Sequence, residues 1–178
     1  DTTYSASFLQ KRWLRPKQAL VEYFETESSL LVFVLTTQGL KGFALPKSQS
    51  LVQEAKSFRQ LLRKYPALNG AALDSNLLAW CQLSHDLYTA VFKPLQNALK
   101  DSESLIIVAD GPLSYLPFEA LLTKIPQNTS YFKSHAYMLR QYAIQYSYSG
   151  SLSWELSRKS RTRWFKPGIL SMAPDFRN

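Results

Sequence analysis

Residues 105–122 of this 178-residue chain read LIIVADGPLSYLPFEALL, and this stretch decides the fold. Its apolar start, Leu105 to Ala109, has the length and composition of a buried strand, and it ends at an Asp-Gly turn. A loop with two prolines then leads into an amphipathic segment. In α/β proteins a buried strand delivers such a loop to the carboxyl edge of the sheet, where ligand and catalytic sites lie. We therefore predict an α/β fold with a candidate site in this loop.

The candidate site consists of loop residues that follow the strand. They are Asp110, Gly111, Leu113, Leu116, Pro117, Phe118 and Glu119. We expect Leu113, Leu116 and Phe118 to pack inward and hold the loop. The favoured interpretation of Asp110 is an Asx-type turn in which the following glycine supplies a positive φ angle, and the alternative is that it faces a substrate pocket. Glu119 is expected to hydrogen-bond neighbouring backbone or to pair with a basic residue.

Three short apolar runs before this strand predict a small antiparallel β-meander. They are separated by turn residues and lie at residues 19–25, 30–36 and 40–45. Two helices are predicted next, because apolar residues then recur with helical spacing. The first begins at Ser48 and ends at Pro66, and the second has Asp74 as its N-cap and is interrupted at Pro94.

The remaining segments complete a mixed sheet flanked by helices. They predict a strand, a short helix and a further strand, at residues 142–148, 152–157 and 168–173. A helix predicted at residues 3–14 is interpreted as the tail of a preceding helical region. We therefore assign residues 1–18 to that region and residues 19–178 to the α/β domain.

Composition favours a globular domain without a cofactor or membrane anchor. Hydrophobic residues make up 46% of the chain and charged residues 19%, which suits a packed core. No apolar stretch is long enough to span a bilayer, so we expect no membrane partner and a cytoplasmic location. The single cysteine excludes an intrachain disulfide. No Gly-rich phosphate loop and no metal-ligand spacing is evident in the sequence, so neither a cofactor nor a metal is predicted.

The chain carries a net charge of +8 that is unevenly spread. A basic cluster with two interleaved aromatic residues consists of Arg158, Lys159, Arg161, Arg163 and Lys166. The favoured interpretation is a solvated loop between core elements, since net charge alone is a poor guide to binding. The alternative is a surface for an acidic partner or, less favoured, for nucleic acid.

Cys81 and His85 are four residues apart and would share one face of a helix. That spacing invites a catalytic or metal pair, but no further ligands lie nearby and neither residue is at a strand end. The favoured interpretation is that Cys81 is a small buried hydrophobe. His135, in a polar stretch, is predicted to be an exposed loop residue. We therefore predict no catalytic residue and no metal site in the chain.

Three segments together resemble the signature of the CHAT domain family, whose members are caspase-like and separase-like proteins often fused to helical TPR repeats. They are residues 109–122, 142–149 and 169–176, in this order. The resemblance covers the chain from Val21 onward and implies a caspase-like α/β fold. In active members it implies a cysteine peptidase, in which a thiolate attacks the peptide carbonyl and a histidine manages the proton.

The resemblance implies that both residues of this His–Cys dyad follow the Ala-Pro-Asp-Phe segment and therefore lie outside the chain. We expect an amino-terminal portion of the domain, the scaffold half of a bacterial cysteine peptidase, inactive alone. In the family the loop at Asp110 lies at the edge of the active-site region. The implied partners are the downstream catalytic half, TPR or other helical repeats, and a protein substrate or regulator. The alternative is a non-enzymatic pseudo-caspase module that binds partners through its meander edge or the basic cluster.

Overall fold

One five-stranded mixed sheet organises the chain, in a computed structural model that describes residues 3–48, 50–64 and 70–159. The strand order is β3-β2-β1-β4-β5. The strands are β1 (Gln18–Glu25), β2 (Ser29–Thr36), β3 (Gly39–Pro46), β4 (Ser104–Val108) and β5 (Ala143–Ser147). The helices are α1 (Ala6–Arg12), α2 (Leu51–Lys64), α3 (Gly70–Val91) and α4 (Gly150–Lys159). The predicted mixed α/β class, with its meander and two following helices, is confirmed.

Strand pairing joins the meander directly to the parallel part of the sheet. β1 pairs antiparallel with β2 and parallel with β4, with Val21 opposite Ile107. β4 in turn pairs parallel with β5, where Ile107 lies opposite Tyr146. The carboxyl ends of β1, β4 and β5 therefore meet at one edge of the sheet.

The two faces of the sheet carry separate apolar cores because side chains alternate along each strand. The larger core packs one face of β1, including Val21 and Tyr23, against α2 and α3. The smaller core contains Leu20 and Ile106 from the other face, together with Leu9 of α1. Trp154 of α4 packs against this smaller core. Helices therefore cover both faces, as in other α/β layers.

α3 is the longest described helix and begins earlier than predicted. It starts at Gly70, four residues before Asp74, so the N-cap assigned to Asp74 is wrong. Residues 71–73, Ala-Ala-Leu, are good helix formers and extend the helix toward its start. The interruption predicted at Pro94 is confirmed, because the chain passes into a 3-10 helix at Lys93–Ala98.

Other boundaries lie close to the predictions or outside the described residues. The predicted helix at 3–14 is shorter, Ala6–Arg12, and is N-capped by Ser5, whose side chain accepts a hydrogen bond from the Phe8 amide. The strand predicted at residues 168–173 and the helix end at Pro66 lie outside the described residues. No helix within the described ranges is long and apolar enough to cross a membrane.

His135 is fully buried, so its prediction as an exposed loop residue is wrong. Its ring stacks on Trp80 of α3, with centroids 6.0 Å apart. Its Nε2 donates to the Asn128 carbonyl at 3.1 Å, which leaves Nδ1 to accept from the Tyr137 hydroxyl at 3.3 Å. The polar residues around the histidine form the exposed side of a loop, and His135 fastens that loop to the core together with Phe132 and Tyr137.

Replacing His135 by Ala should destabilise the protein by about 3 kcal/mol, because it leaves a cavity beside Trp80 and two hydrogen-bond partners without the ring. Urea unfolding followed by tryptophan fluorescence measures this change. Lys133→Ala in the same loop is the matched control, and since Lys133 is exposed its cost should stay within about 0.5 kcal/mol. Equal stability of the two variants would contradict the role given to the buried ring.

Candidate functional site

The loop that follows β4 lies at the carboxyl edge of the three parallel strands, where α/β proteins place their sites. It contains two short 3-10 helices, Gly111–Tyr115 and Phe118–Ala120. Pro112 and Pro117 fix the backbone near the start of each. The loop therefore has a defined conformation of its own.

A turn at Asp110 and Gly111 opens the loop. Asp110 is the N-cap of the first 3-10 helix, and its side chain accepts a hydrogen bond from the Gly111 amide at 2.7 Å. Gly111 has a φ of 55°, in the left-handed region that favours glycine, as predicted. The side-chain bond goes to the next residue, whereas the predicted Asx turn requires the amide two residues on. The Asp110 carboxylate is exposed, with one oxygen committed to the turn.

Gly111 also lies directly against the end of β1. A side chain here would collide with the Glu25 carboxylate, whose Cδ is 3.4 Å from the ideal Cβ position. Glu25 in turn pairs with Lys47 at 2.5 Å, and the two side chains are 22% and 17% exposed. Only glycine satisfies both the backbone angle and this close approach, so the turn is locked to the meander.

Apolar side chains hold the loop from below, as predicted. Leu113, Leu116 and Phe118 are between 0% and 2% exposed. The Phe118 ring lies 5.4 Å from that of Tyr23 in β1. Burial of these three side chains stabilises the loop by roughly 1.5–3 kcal/mol for each residue. Pro117 is half-buried beside them.

Tyr146 of β5 fastens the middle of the loop. Its hydroxyl accepts a hydrogen bond from the Phe118 amide at 2.8 Å and donates to the Glu119 carboxylate. Glu119 thus bonds a tyrosine on the neighbouring strand, neither the backbone nor a basic residue as predicted. Burial, followed by the Glu119 carboxylate, raises the pKa of Tyr146 above its ordinary value, so the hydroxyl stays a donor.

Two helices fasten the other parts of the loop. In α3, the Ser84 hydroxyl donates to the Ala120 carbonyl at 3.1 Å and accepts from the Leu122 amide at 2.9 Å. In α2, the Arg59 guanidinium lies 5.5 Å from the centre of the Tyr115 ring. Contacts from α2, α3 and β5 therefore hold the loop, which forms a wall at the sheet edge.

Neither Cys81 nor His85 takes part in a reactive pair. Cys81 is fully buried in the larger core, and burial raises the pKa of its thiol to about 11. His85 donates from Nδ1 to the Leu122 carbonyl at 3.1 Å. The thiol is therefore protonated near neutral pH and the imidazole is engaged elsewhere, as the favoured interpretation predicted.

The basic cluster is only partly described. Arg158 is exposed, and its guanidinium lies 5.7 Å from the centre of the Trp154 ring. Lys159 is the last residue of α4. Arg161, Arg163 and Lys166 lie outside the described residues, so the partner surface proposed for the cluster stays a prediction.

Four residues with structural roles at this edge had no role in the sequence analysis. They are Glu25, Lys47, Ser84 and Tyr146. Ser84 carried a usable signal, because it occupies a core-facing position of α3 between Trp80 and Tyr88, where a polar residue calls for a partner. Within the described ranges no group of three or more His, Cys, Asp or Glu side chains could hold a metal ion.

The fold and this loop define a mixed α/β protein with a structured wall at the carboxyl edge of its parallel strands. A family model described as CHAT domain matches residues 81–178, more than half of the chain. The chain therefore belongs to the CHAT domain family, a caspase-like peptidase family. The match spans the second half of α3, together with β4, the loop, β5 and α4. The resemblance expected for residues 21–80 stays a prediction. No curated protein matches the chain.

Substituting Gly111 by Ala should destabilise the protein by about 2–3 kcal/mol, because it combines left-handed strain with displacement of Glu25 from Lys47. Thermal and urea unfolding measure the change. Gly70→Ala is the matched control, since Gly70 has a φ of 54° but no described atom within 4 Å of a Cβ. It should cost about 1–2 kcal/mol, from the strain alone. Adding Glu25→Ala should relieve part of the Gly111→Ala cost, and strict additivity of the two changes would argue against the contact.

The Tyr146→Phe variant removes one hydroxyl and should cost about 1–2 kcal/mol, because the half-buried Phe118 amide loses its acceptor. The loop should also become more sensitive to limited proteolysis after Leu116, Phe118 or Leu121. Tyr148→Phe serves as the control, since Tyr148 is 93% exposed and makes no described hydrogen bond. Cleavage of the loop at the same rate in both variants would show that Tyr146 does not fasten it.

Proposed function

We propose that this chain is the scaffold half of a caspase-like cysteine peptidase and supplies no catalytic residue to it. The His–Cys dyad comes, in this proposal, from sequence that follows the chain in a longer protein. The observation that carries the proposal is the burial of Cys81, because the chain has one cysteine and a cysteine peptidase needs an accessible thiolate.

The histidines support the same assignment. The chain has two, and each ring is engaged in holding the candidate loop or its continuation to the core. His85 binds the Leu122 carbonyl, and His135 binds the Asn128 carbonyl while stacking on Trp80. A catalytic histidine must instead reach a nucleophile and move a proton. Neither ring has a cysteine within hydrogen-bond reach in the described residues.

The function that the candidate loop supports best is positioning. Its buried leucines and Phe118, the Tyr146 hydroxyl and the Ser84 hydroxyl hold it against three elements. A catalytic site requires such support to keep reacting groups aligned, and a small displacement lowers the rate strongly. We propose that the loop forms one wall of the peptide-binding region next to the catalytic half.

Further parts of the proposal concern the setting of the protein. Helical repeats attached to the domain would regulate it through protein contacts, a protein would be its substrate, and the cytoplasm would be its location. The repeats and the protein substrate are what the resemblance to the CHAT family implies, and the location is an expectation from the sequence.

Reconstitution of the two halves tests the proposed function. We expect the purified chain to hydrolyse no fluorogenic peptide, and the chain co-expressed with the sequence that follows Asn178 to hydrolyse one. Cys81→Ser should leave the reconstituted activity unchanged, whereas Ser replacement of a cysteine in the second half should abolish it. Activity of the chain alone that Cys81→Ser removes would overturn the proposal. Inactivity of the reconstituted protein would favour the non-enzymatic interaction module.

A further inference from the structure

A cavity of about 580 Å³ lies on the face of the sheet opposite α2 and α3. Its walls come from α1 and the turn after it, from β5 and from α4. The volume is within the range of sites that hold small molecules, roughly 300–1,000 Å³. The candidate loop packs on the other face of the sheet, and Tyr146, whose hydroxyl bonds that loop, also lines the cavity.

Among the described residues, the charged side chains that line this cavity are all arginines. Arg12 ends α1, Arg15 lies in the turn before β1, and Arg158 is in α4. No aspartate or glutamate of the described ranges lines the cavity, and the ion pairs in those ranges join Lys17 to Glu103 and Lys47 to Glu25. The three positively charged guanidinium groups line one cavity and repel each other. A bound anion would be attracted to all three and would offset this repulsion.

The polar groups between the arginines are suited to the same kind of ligand. Gln145 of β5 and Ser157 of α4 line the cavity and offer an amide and a hydroxyl. Trp13 and Trp154 line it with large aromatic surfaces. The site therefore combines guanidinium groups, neutral hydrogen-bonding groups and indole rings. A ligand with both a phosphate group and a planar ring would require this combination.

The walls are held in place by contacts between α1 and α4. Phe8 of α1 packs edge-on against Trp154, with ring centroids 5.5 Å apart, and stacks on Tyr4 at 4.9 Å. The Tyr4 amide donates to the Ser151 hydroxyl at 3.0 Å. Arg158 lies over the Trp154 ring, so its guanidinium is already oriented. Preorganised groups bind more tightly because less order has to be created on binding.

We propose that this cavity binds a phosphorylated small molecule of about nucleotide size. Planar guanidinium groups match phosphate oxygens two at a time, which makes phosphate the anion that three arginines recognise best.

Calorimetric titration of the whole chain with ATP, inorganic tripolyphosphate and adenosine tests the proposal. ATP and tripolyphosphate should each bind one site, more weakly as salt is added, and adenosine should not bind. Tighter binding of ATP than of tripolyphosphate would identify a nucleotide as the source of the phosphate, and equal affinity would identify a phosphate group alone. Absence of saturable binding by both phosphate compounds would overturn the proposal.

Single variants locate the binding in this cavity. Arg12→Ala, Arg15→Ala and Arg158→Ala should each weaken binding of ATP about tenfold, the expected loss for a charge-assisted hydrogen bond. Lys56→Ala and Arg63→Ala in α2 are charge-matched controls on exposed residues of the opposite side, and they should change the affinity less than twofold. Equal losses in all five variants would show diffuse attraction to a basic protein. Displacement of ATP by an RNA oligonucleotide or an acidic peptide that binds more tightly through the same arginines would also overturn the proposal.

Discussion

Parallel pairing of β1 with β4 is the contact on which the rest of the structure depends. It joins residues 18–22 to residues 104–108, so two helices and a 3-10 helix must fold between them. This pairing makes one sheet out of a local meander and the later parallel pair of β4 and β5. It also fixes the geometry of the edge, because the end of β1 places Glu25 directly against Gly111 at the start of the candidate loop. Long-range parallel pairing is costly in chain entropy. Burial of apolar side chains in the two cores, one on each face of the sheet, offsets that cost.

Side chains from several elements hold the candidate loop at this edge of the sheet. Its loop is bounded by Lys47 and Glu25 on one side, by Tyr146 on the other and by Ser84 from beneath. The cysteine thiol and the two imidazoles, which could act in catalysis, are engaged in the structure. The thiol of Cys81 lies in the core, and each imidazole hydrogen-bonds a backbone carbonyl. The residues at this edge therefore support the candidate loop. The chain belongs to the CHAT domain family, a caspase-like peptidase family.

Local pattern was enough to predict most of the elements. The continuous apolar run at 105–109 indicates a strand buried on both faces, and β4 is buried at four of its five positions. The Asp110 and Gly111 turn was predictable because its chemistry is local, and the inward packing of Leu113, Leu116 and Phe118 followed from their composition. The family resemblance includes this same segment, whose residues form a local turn and also pack into the core.

Apart from the start of α3, which was misplaced locally at Asp74, the errors and omissions concern contacts between distant parts of the chain. His135 is surrounded by polar neighbours in sequence and by Trp80 and Tyr137 in space, so its burial has no local signature. The role of Tyr146 depends on an amide 28 positions away. The arginine-lined cavity gathers residues from α1 and α4, which come together only after both helices pack on the same face of the sheet. Pattern analysis finds elements, whereas these features arise from how elements meet.

Active-site labelling of the longer protein tests the central claim most directly. A peptidyl chloromethyl ketone alkylates the nucleophilic cysteine of a cysteine peptidase, because the thiolate displaces chloride from the methylene carbon, and mass spectrometry then identifies the modified residue. Our account predicts modification of a cysteine beyond Asn178, with Cys81 unmodified in the native protein. Modification of Cys81 in the folded protein would contradict it, because a residue buried in the core of the scaffold would then be the nucleophile.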